Sequence, residues 1–170
     1  VFKDSGYTIR MKKSDVIQVI RDTLTQELAA QQKIATAARD EATGEESKPE
    51  NQYDTRSVEA SYLAGALSER ILALRRLCAF FNSFSPPPFG EDDAIAVGAL
   101  VELEEEEADR RWWCLMVPQG GRTVTVKGTA VTLLSPAAPM GQALAGAVLE
   151  EAIEFDSPRG IRTIEVIGIR

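Results

Sequence analysis

Histidine is absent from this 170-residue chain. That removes Ser-His and Cys-His nucleophilic catalysis, a His general base and His-ligated zinc. There are only two cysteines, Cys78 and Cys114. One falls in a helical pattern and the other in an apolar strand-like stretch, so they do not form a disulfide framework, and a reduced, cytoplasmic setting is expected. Two thiols also cannot make a four-cysteine zinc site. Any chemistry must come from carboxylates, lysines or hydroxyls. No apolar run approaches the ~20 residues that span a bilayer, so no membrane partner is expected. Val1–Arg10 are mixed polar and charged, unlike a signal peptide. Met11 is a candidate start, which would make Val1–Arg10 an added or upstream extension.

A basic stripe is also missing. The net charge is −7. Val1–Phe84 carries 12 Lys+Arg against 12 Asp+Glu, whereas Ser85–Arg170 carries 7 against 14. Neither half offers the phosphate-binding footprint of direct duplex recognition. The expected partner is a protein with a positive surface of its own.

What is present is a change of period. Ser14 is a candidate cap for a helix with a seam at Ile17, Ile20, Leu24, Leu28, Gln31, Ala35 and Ala38, a heptad-like spacing. Between Asp40 and Asp54 the pattern fails, with Gly44 and Pro49 as breakers. A second seam follows at Leu63, Leu67, Ile71, Leu74, Leu77, Phe81 and Phe84. The first seam runs from large to small side chains and the second from small to large. Mirrored gradients around one polar loop predict an antiparallel helical hairpin over 11–84. A two-helix hairpin of that length cannot bury both faces, so it must project from something or insert into something.

Ser85-Pro86-Pro87-Pro88 ends the second helix, because proline cannot continue it, and 85–93 reads as a linker. Beyond it, over 94–170, β-branched runs predict strands at Val97–Leu103, Trp112–Val117, Val124–Val126, Thr129–Leu134, Ala152–Phe155 and Thr163–Ile169. Pro139–Leu149 holds one or two helical turns. The fold class expected is α+β, with an antiparallel sheet in the second domain. Trp112-Trp113 reads as one core and one surface ring, with a shared ligand pocket as the less favoured alternative. The Glu104–Glu107 run reads as a charged turn guarding a sheet edge. Phe80, Phe81 and Phe84 read as packing at the hairpin base.

Two segments resemble the Gre family of bacterial transcript-cleavage factors. Glu50-Asn51-Gln52-Tyr53 is similar to the Glu-Asn-aromatic end of that family's inter-helix loop. Ala138-Pro139-Met140-Gly141-Gln142-Ala143-Leu144-Ala145-Gly146 is similar to its Ser-Pro-Leu-Gly-Arg-Ala-Leu-Leu-Gly segment. Ala152–Phe155, Pro158-Arg159-Gly160 and Ile164–Ile167 then follow in the family's order. The resemblance covers Met11–Arg170. It implies a coiled-coil hairpin and an FKBP-like second domain. It also implies a factor, not itself an enzyme, that binds core RNA polymerase and inserts its hairpin into the secondary channel, modulating elongation or transcript cleavage.

The tip acids would be Glu45, Glu46, Glu50 and Asp54. Glu46 and Glu50 would be ligands of a Mg²⁺ shared with the polymerase in the complex only, no cofactor being held by the free protein. Pro139, Met140, Gly141 and Gln142 would dock on the polymerase. The sequence departs from the family where Ser47 replaces an Asp, Pro49 intrudes in the loop, Gln142 replaces an Arg, and Glu150-Glu151 replaces Gly-Asp. These departures point to channel occupation more than to efficient cleavage. A solvated polar loop is the plainer reading of the tip. Alternatives from other classes are an FKBP-like prolyl isomerase or chaperone with a coiled-coil arm, and an assembly protein that dimerises through the hairpin.

Overall fold

The structure is a computed structural model that describes residues 11–43, 56–158 and 160–170. Its elements run α1 (Lys13–Thr43), α2 (Arg56–Ser83), β1 (Leu100–Glu105), β2 (Arg110–Met116), β3 (Arg122–Val126), β4 (Thr129–Leu134), α3 (Pro139–Leu144), β5 (Ala152–Ser157) and β6 (Gly160–Ile169). The chain divides into two compact units. One is Ile20–Phe84; the other takes the chain up to Val19 together with Ser85–Arg170.

In the helical unit, α2 folds back along α1. Arg21 contacts the carbonyls of Phe81 and Phe84, while Glu27, further along α1, meets Arg70, earlier in α2. As one partner advances the other retreats, which is the antiparallel pairing that the two gradients predict. The seam positions are the shielded ones. Ile20, Leu24, Leu74 and Phe81 are buried, whereas Leu28, Gln31, Ala35, Ala38, Leu67, Ile71 and Leu77 are half-buried. Packing therefore weakens along the rod. Phe81 is 1% exposed, while Leu63, a predicted seam residue nearer the loop, is 67% exposed and Ile34 is 54% exposed.

Two further contacts close the base. The rings of Phe80, Phe81 and Phe84 pack on one another with centroids 4.9–5.9 Å apart. The last turn of α2 has no basic residue of its own, and its carbonyls lack intrahelical donors. Arg21 supplies them from α1, with Nε donating to Phe81 O at 2.8 Å and Nη2 to Phe84 O at 3.2 Å. A cation there also complements the negative end of the helix dipole.

Lys12, not Ser14, opens α1. Its carbonyl accepts both Asp15 N and Val16 N, at 3.1 and 3.2 Å, which places Ser14 inside the first turn.

In the second unit six strands form one sheet in the order β3-β4-β2-β1-β6-β5. The expectation of a wholly antiparallel sheet is corrected at one pair, because β2 and β4 run parallel. The reason is topological. The two-residue turn Lys127-Gly128, with both φ positive (50° and 82°), reverses β3 into β4. The chain thus returns between β2 and β3, and β4 must run with β2. The Glu104–Glu107 expectation is corrected too. The strand continues to Glu105, and the turn at Glu106–Ala108 joins the two central strands β1 and β2 rather than guarding an edge.

Central strand β2 is covered on both faces. Cys114 and Met116 face a core of Val101, Leu103, Leu134, Leu144, Ile153, Ile164 and Val166, with Trp112 half-buried against it. Trp113 and Leu115 face the other way and are also buried. On that side the Arg170 guanidinium lies 4.7 Å from the Trp113 ring and reaches the Met11 carbonyl. Met11, Val16 and Ile17 are buried in the same unit. An Asp15–Lys127 ion pair of 2.5 Å ties this start of α1 to the β3–β4 turn.

On the first face, Glu105 forms a bidentate pair with Arg162, whose guanidinium lies over the Phe155 ring. The Arg162 hydrogen bonds hold the Glu105 carboxyl below its usual pKa.

The gradient predicts unequal costs in the hairpin. Leu74→Ala should destabilise by about 2–4 kcal/mol, the range for an aliphatic core truncation. Leu63→Ala should cost roughly 0.5 kcal/mol or less, as surface changes do. Chemical denaturation compares the two, and equal costs would contradict the gradient.

The Glu105–Arg162 pair predicts a pH dependence. Because the folded pKa of Glu105 is depressed, its stabilisation is present above the unfolded carboxyl pKa. It disappears as pH falls through the folded value. Melting of wild type and Glu105→Gln should therefore differ at neutral pH and converge as pH falls through the depressed folded value of Glu105.

Candidate functional site

The tip residues Glu45, Glu46, Ser47, Glu50 and Asp54 lie outside the described residues, as does the pair Asp54-Thr55 expected to cap α2. Among the described residues no group of three or more metal-ligating side chains converges. No described helix is long and apolar enough to cross a membrane.

The second predicted segment is well defined. Ala138 is the N-cap of α3, in extended conformation (φ −76°, ψ 150°), and Pro139 takes the first turn, where its missing N–H costs nothing. Gln142 N donates to Ala138 O at 2.8 Å, and Gln142 Nε2 reaches Ala137 O at 3.2 Å. Leu144 is fully buried in the sheet core, and Met140 packs half-buried against it. Pro139 and Gln142 are exposed. The four residues thus divide: Pro139 and Gln142 are presented to solvent, while Met140 and Gly141 anchor the turn.

Gly141 explains why the segment lies so close to the chain before it. A Cβ at this position would sit 2.0 Å from Ser135 O and 2.8 Å from Ser135 C. Ser135 is held from the other side as well. A Cβ on Gly120 would meet Ser135 N at 2.4 Å and Leu133 O at 2.5 Å. Its Oγ donates to Pro118 O at 3.1 Å and accepts from Ala137 N at 3.2 Å. Two side-chain-free positions clamp Ser135, which precedes the Ala138 cap of α3. The glycine at 141 was visible in the sequence as part of a motif. Its partner Gly120 stands in no such motif.

The two tryptophans do not share a pocket. They lie on opposite faces of β2, and an arginine covers each: Arg110 stands 4.9 Å from the Trp112 centroid and Arg170 covers Trp113. Burial pushes the Cys114 thiol up to about 12, so it is protonated and unreactive at neutral pH. Burial lowers Lys13 to about 8. Its Nζ donates to Pro87 O at 2.6 Å and stands 4.6 Å from the Phe89 centroid. Burial also raises Glu102, which lies near Arg170 and Arg111.

No family model matches this chain, and no curated protein matches it. Among solved structures it is similar to the transcription factor Gfh1 at 22% identity, over 89% of this chain and 94% of that one, with a TM-score of 0.39. GreA factor homolog 1 of Thermus thermophilus is likewise 22% identical, over 89% and 95%, with a TM-score of 0.37. The GreA/GreB elongation factor of Nitrosomonas europaea is 19% identical, over 56% of this chain and 78% of that one, with a TM-score of 0.35.

The contact at Gly141 predicts that Gly141→Ala destabilises the protein by about 2 kcal/mol or more, the scale of a backbone overlap that must be relieved by movement. Urea unfolding measures it. A variant as stable as wild type would mean that α3 is free to shift.

Proposed function

We propose that this protein is a Gre-type regulator of transcription elongation that binds core RNA polymerase. Its hairpin enters the secondary channel. The second unit holds the channel entrance through Pro139 and Gln142, with Met140 and Gly141 keeping that turn in place. The observation that carries this reading is the packing gradient along the hairpin. Its base is closed by Phe81, Leu74 and the Arg21 bridge, while its far half leaves Ile34 and Leu63 exposed. A rod built this way needs a sheath for its outer half, and a channel through another protein provides one. The sequence resemblance at Glu50–Tyr53 and Ala138–Gly146 supplies the identity of the sheath.

At the tip, Glu50 and Glu46 would hold a Mg²⁺ shared with the polymerase. Such an ion positions a water and neutralises developing charge in phosphodiester hydrolysis. Ser47 offers only a neutral hydroxyl where the family has Asp, so the charge facing the ion is reduced and its ligand shell less preorganised. The protein is therefore a channel occupant first and a weak stimulator of the polymerase's own cleavage second. It works in the cytoplasm, with no sequence-specific contact to DNA.

The test is capture of core polymerase by the full chain, followed by release of short 3′ RNA from backtracked complexes. Wild type should bind and cleave slowly, Ser47→Asp should cleave faster, and Glu50→Ala should abolish the residual activity while still binding. Absence of polymerase binding at micromolar concentration contradicts the proposal as a whole. Full-rate cleavage by wild type, or cleavage indifferent to Glu50, contradicts the account of the tip alone.

A further inference from the structure

The two edges of the sheet are unlike. Edge strand β5 carries exposed Glu154 and Asp156, is flanked by Glu150 and Glu151, and is followed by Pro158. Charges and proline are the usual devices that stop a sheet from adding another strand. Edge strand β3, Arg122–Val126, has no proline or acidic residue, and its ladder with β4 is regular from Arg122 to Val126. Thr123 and Thr125 are exposed, and Val124 and Val126 are buried on the other face.

The register also says which backbone groups point away from β4. In a two-residue hairpin the residues flanking the turn form a hydrogen-bonded pair. Here these are Val126 and Thr129, so Val124 and Arg122 bond to β4 by the same alternation. The N–H and C=O groups of Thr123 and Thr125 therefore point outward, away from the sheet.

We infer that β3 is a self-association edge, which pairs antiparallel with β3 of a second copy about a two-fold axis at Val124. Thr123-Val124-Thr125 reads the same in both directions, which an isologous contact requires. About that centre Thr123 faces Thr125 of the other copy twice. Both pairs are of the hydrogen-bonded kind, so all four outward N–H groups find carbonyls. Threonine meets threonine on the exposed face, a favourable cross-strand pair, and Val124 meets its own copy on the buried face. Arg122 falls opposite Val126, so no like charges are opposed.

Charge selects this edge over the other. Pairing at β5 would bring Glu154 and Asp156 against their own copies. Pairing at β3 sends the two acidic edges to opposite ends of a twelve-stranded sheet. At ~4.8 Å per strand they are then roughly 50 Å apart, several times the ~8 Å Debye length at physiological salt.

Sedimentation of the full chain over a concentration series tests the inference. The weight-average mass should rise towards twice that of the monomer. Thr125→Lys puts a charge on the exposed face of the joint without touching the core. It should weaken association about tenfold, because both cross-strand Thr–Thr pairs of the joint are lost. Ala152→Lys on the opposite edge should leave association unchanged. As a check that needs no variant, the amides of Thr123 and Thr125 should become slower to exchange as wild-type concentration rises. A wild type that stays monomeric throughout, or a dimer indifferent to Thr125→Lys with those two amides unprotected, overturns the inference.

Discussion

Strand β2 must be buried on both of its faces, and the arrangement of the second unit depends on meeting that demand. Its alternating side chains, Trp112, Cys114 and Met116 against Trp113 and Leu115, are apolar in both directions. A sheet covered on one side would leave the second row in water, at roughly 1.5–3 kcal/mol per large side chain. One face is covered by α3 and the segment that follows it, with Leu144 and Ala147 in the core. On the other, Arg170 bridges the Trp113 ring to the Met11 carbonyl at the start of α1. The α3 turn is therefore not an appendage: Leu144, which seals one face of β2, is the last residue of the short helix that presents Pro139 and Gln142.

The hairpin follows a different economy. Among the described residues its helices meet along one seam, so its stability is concentrated where the side chains are largest. Arg21 adds to this by capping the carbonyl end of α2 from the neighbouring helix. Among the described residues nearer the loop, alanines and exposed aliphatics such as Ile34 and Leu63 take over.

Much of this was legible in the sequence because period and size carry direct structural meaning. The 3-4 spacing and its mirrored gradient gave the two helices and their direction, and the β-branched runs gave all six strands. What was not legible arises from non-local placement. Nothing near Thr129–Leu134 announces that β4 will be inserted beside β2 and run parallel to it. Only the sheet order shows that the acidic turn at Glu106–Ala108 joins central strands. Leu63 fits the seam in spacing yet is 67% exposed, which spacing alone does not foretell. The site was legible to different degrees. Gly141 stood out within a motif, but its reason, the approach of Ser135 between two glycines, needed three dimensions. The tip acids rest on sequence alone.

We propose that residues 44–55 come to lie beside the catalytic metal of RNA polymerase. Replacing that metal with Fe²⁺ and generating hydroxyl radicals locally, then mapping the cuts in the bound factor, measures this proximity directly. The account predicts scission confined to 44–55 and the adjoining ends of α1 and α2, and lost when Mg²⁺ is added in excess. Scission in the sheet unit, or none in a factor shown to be bound, would contradict it.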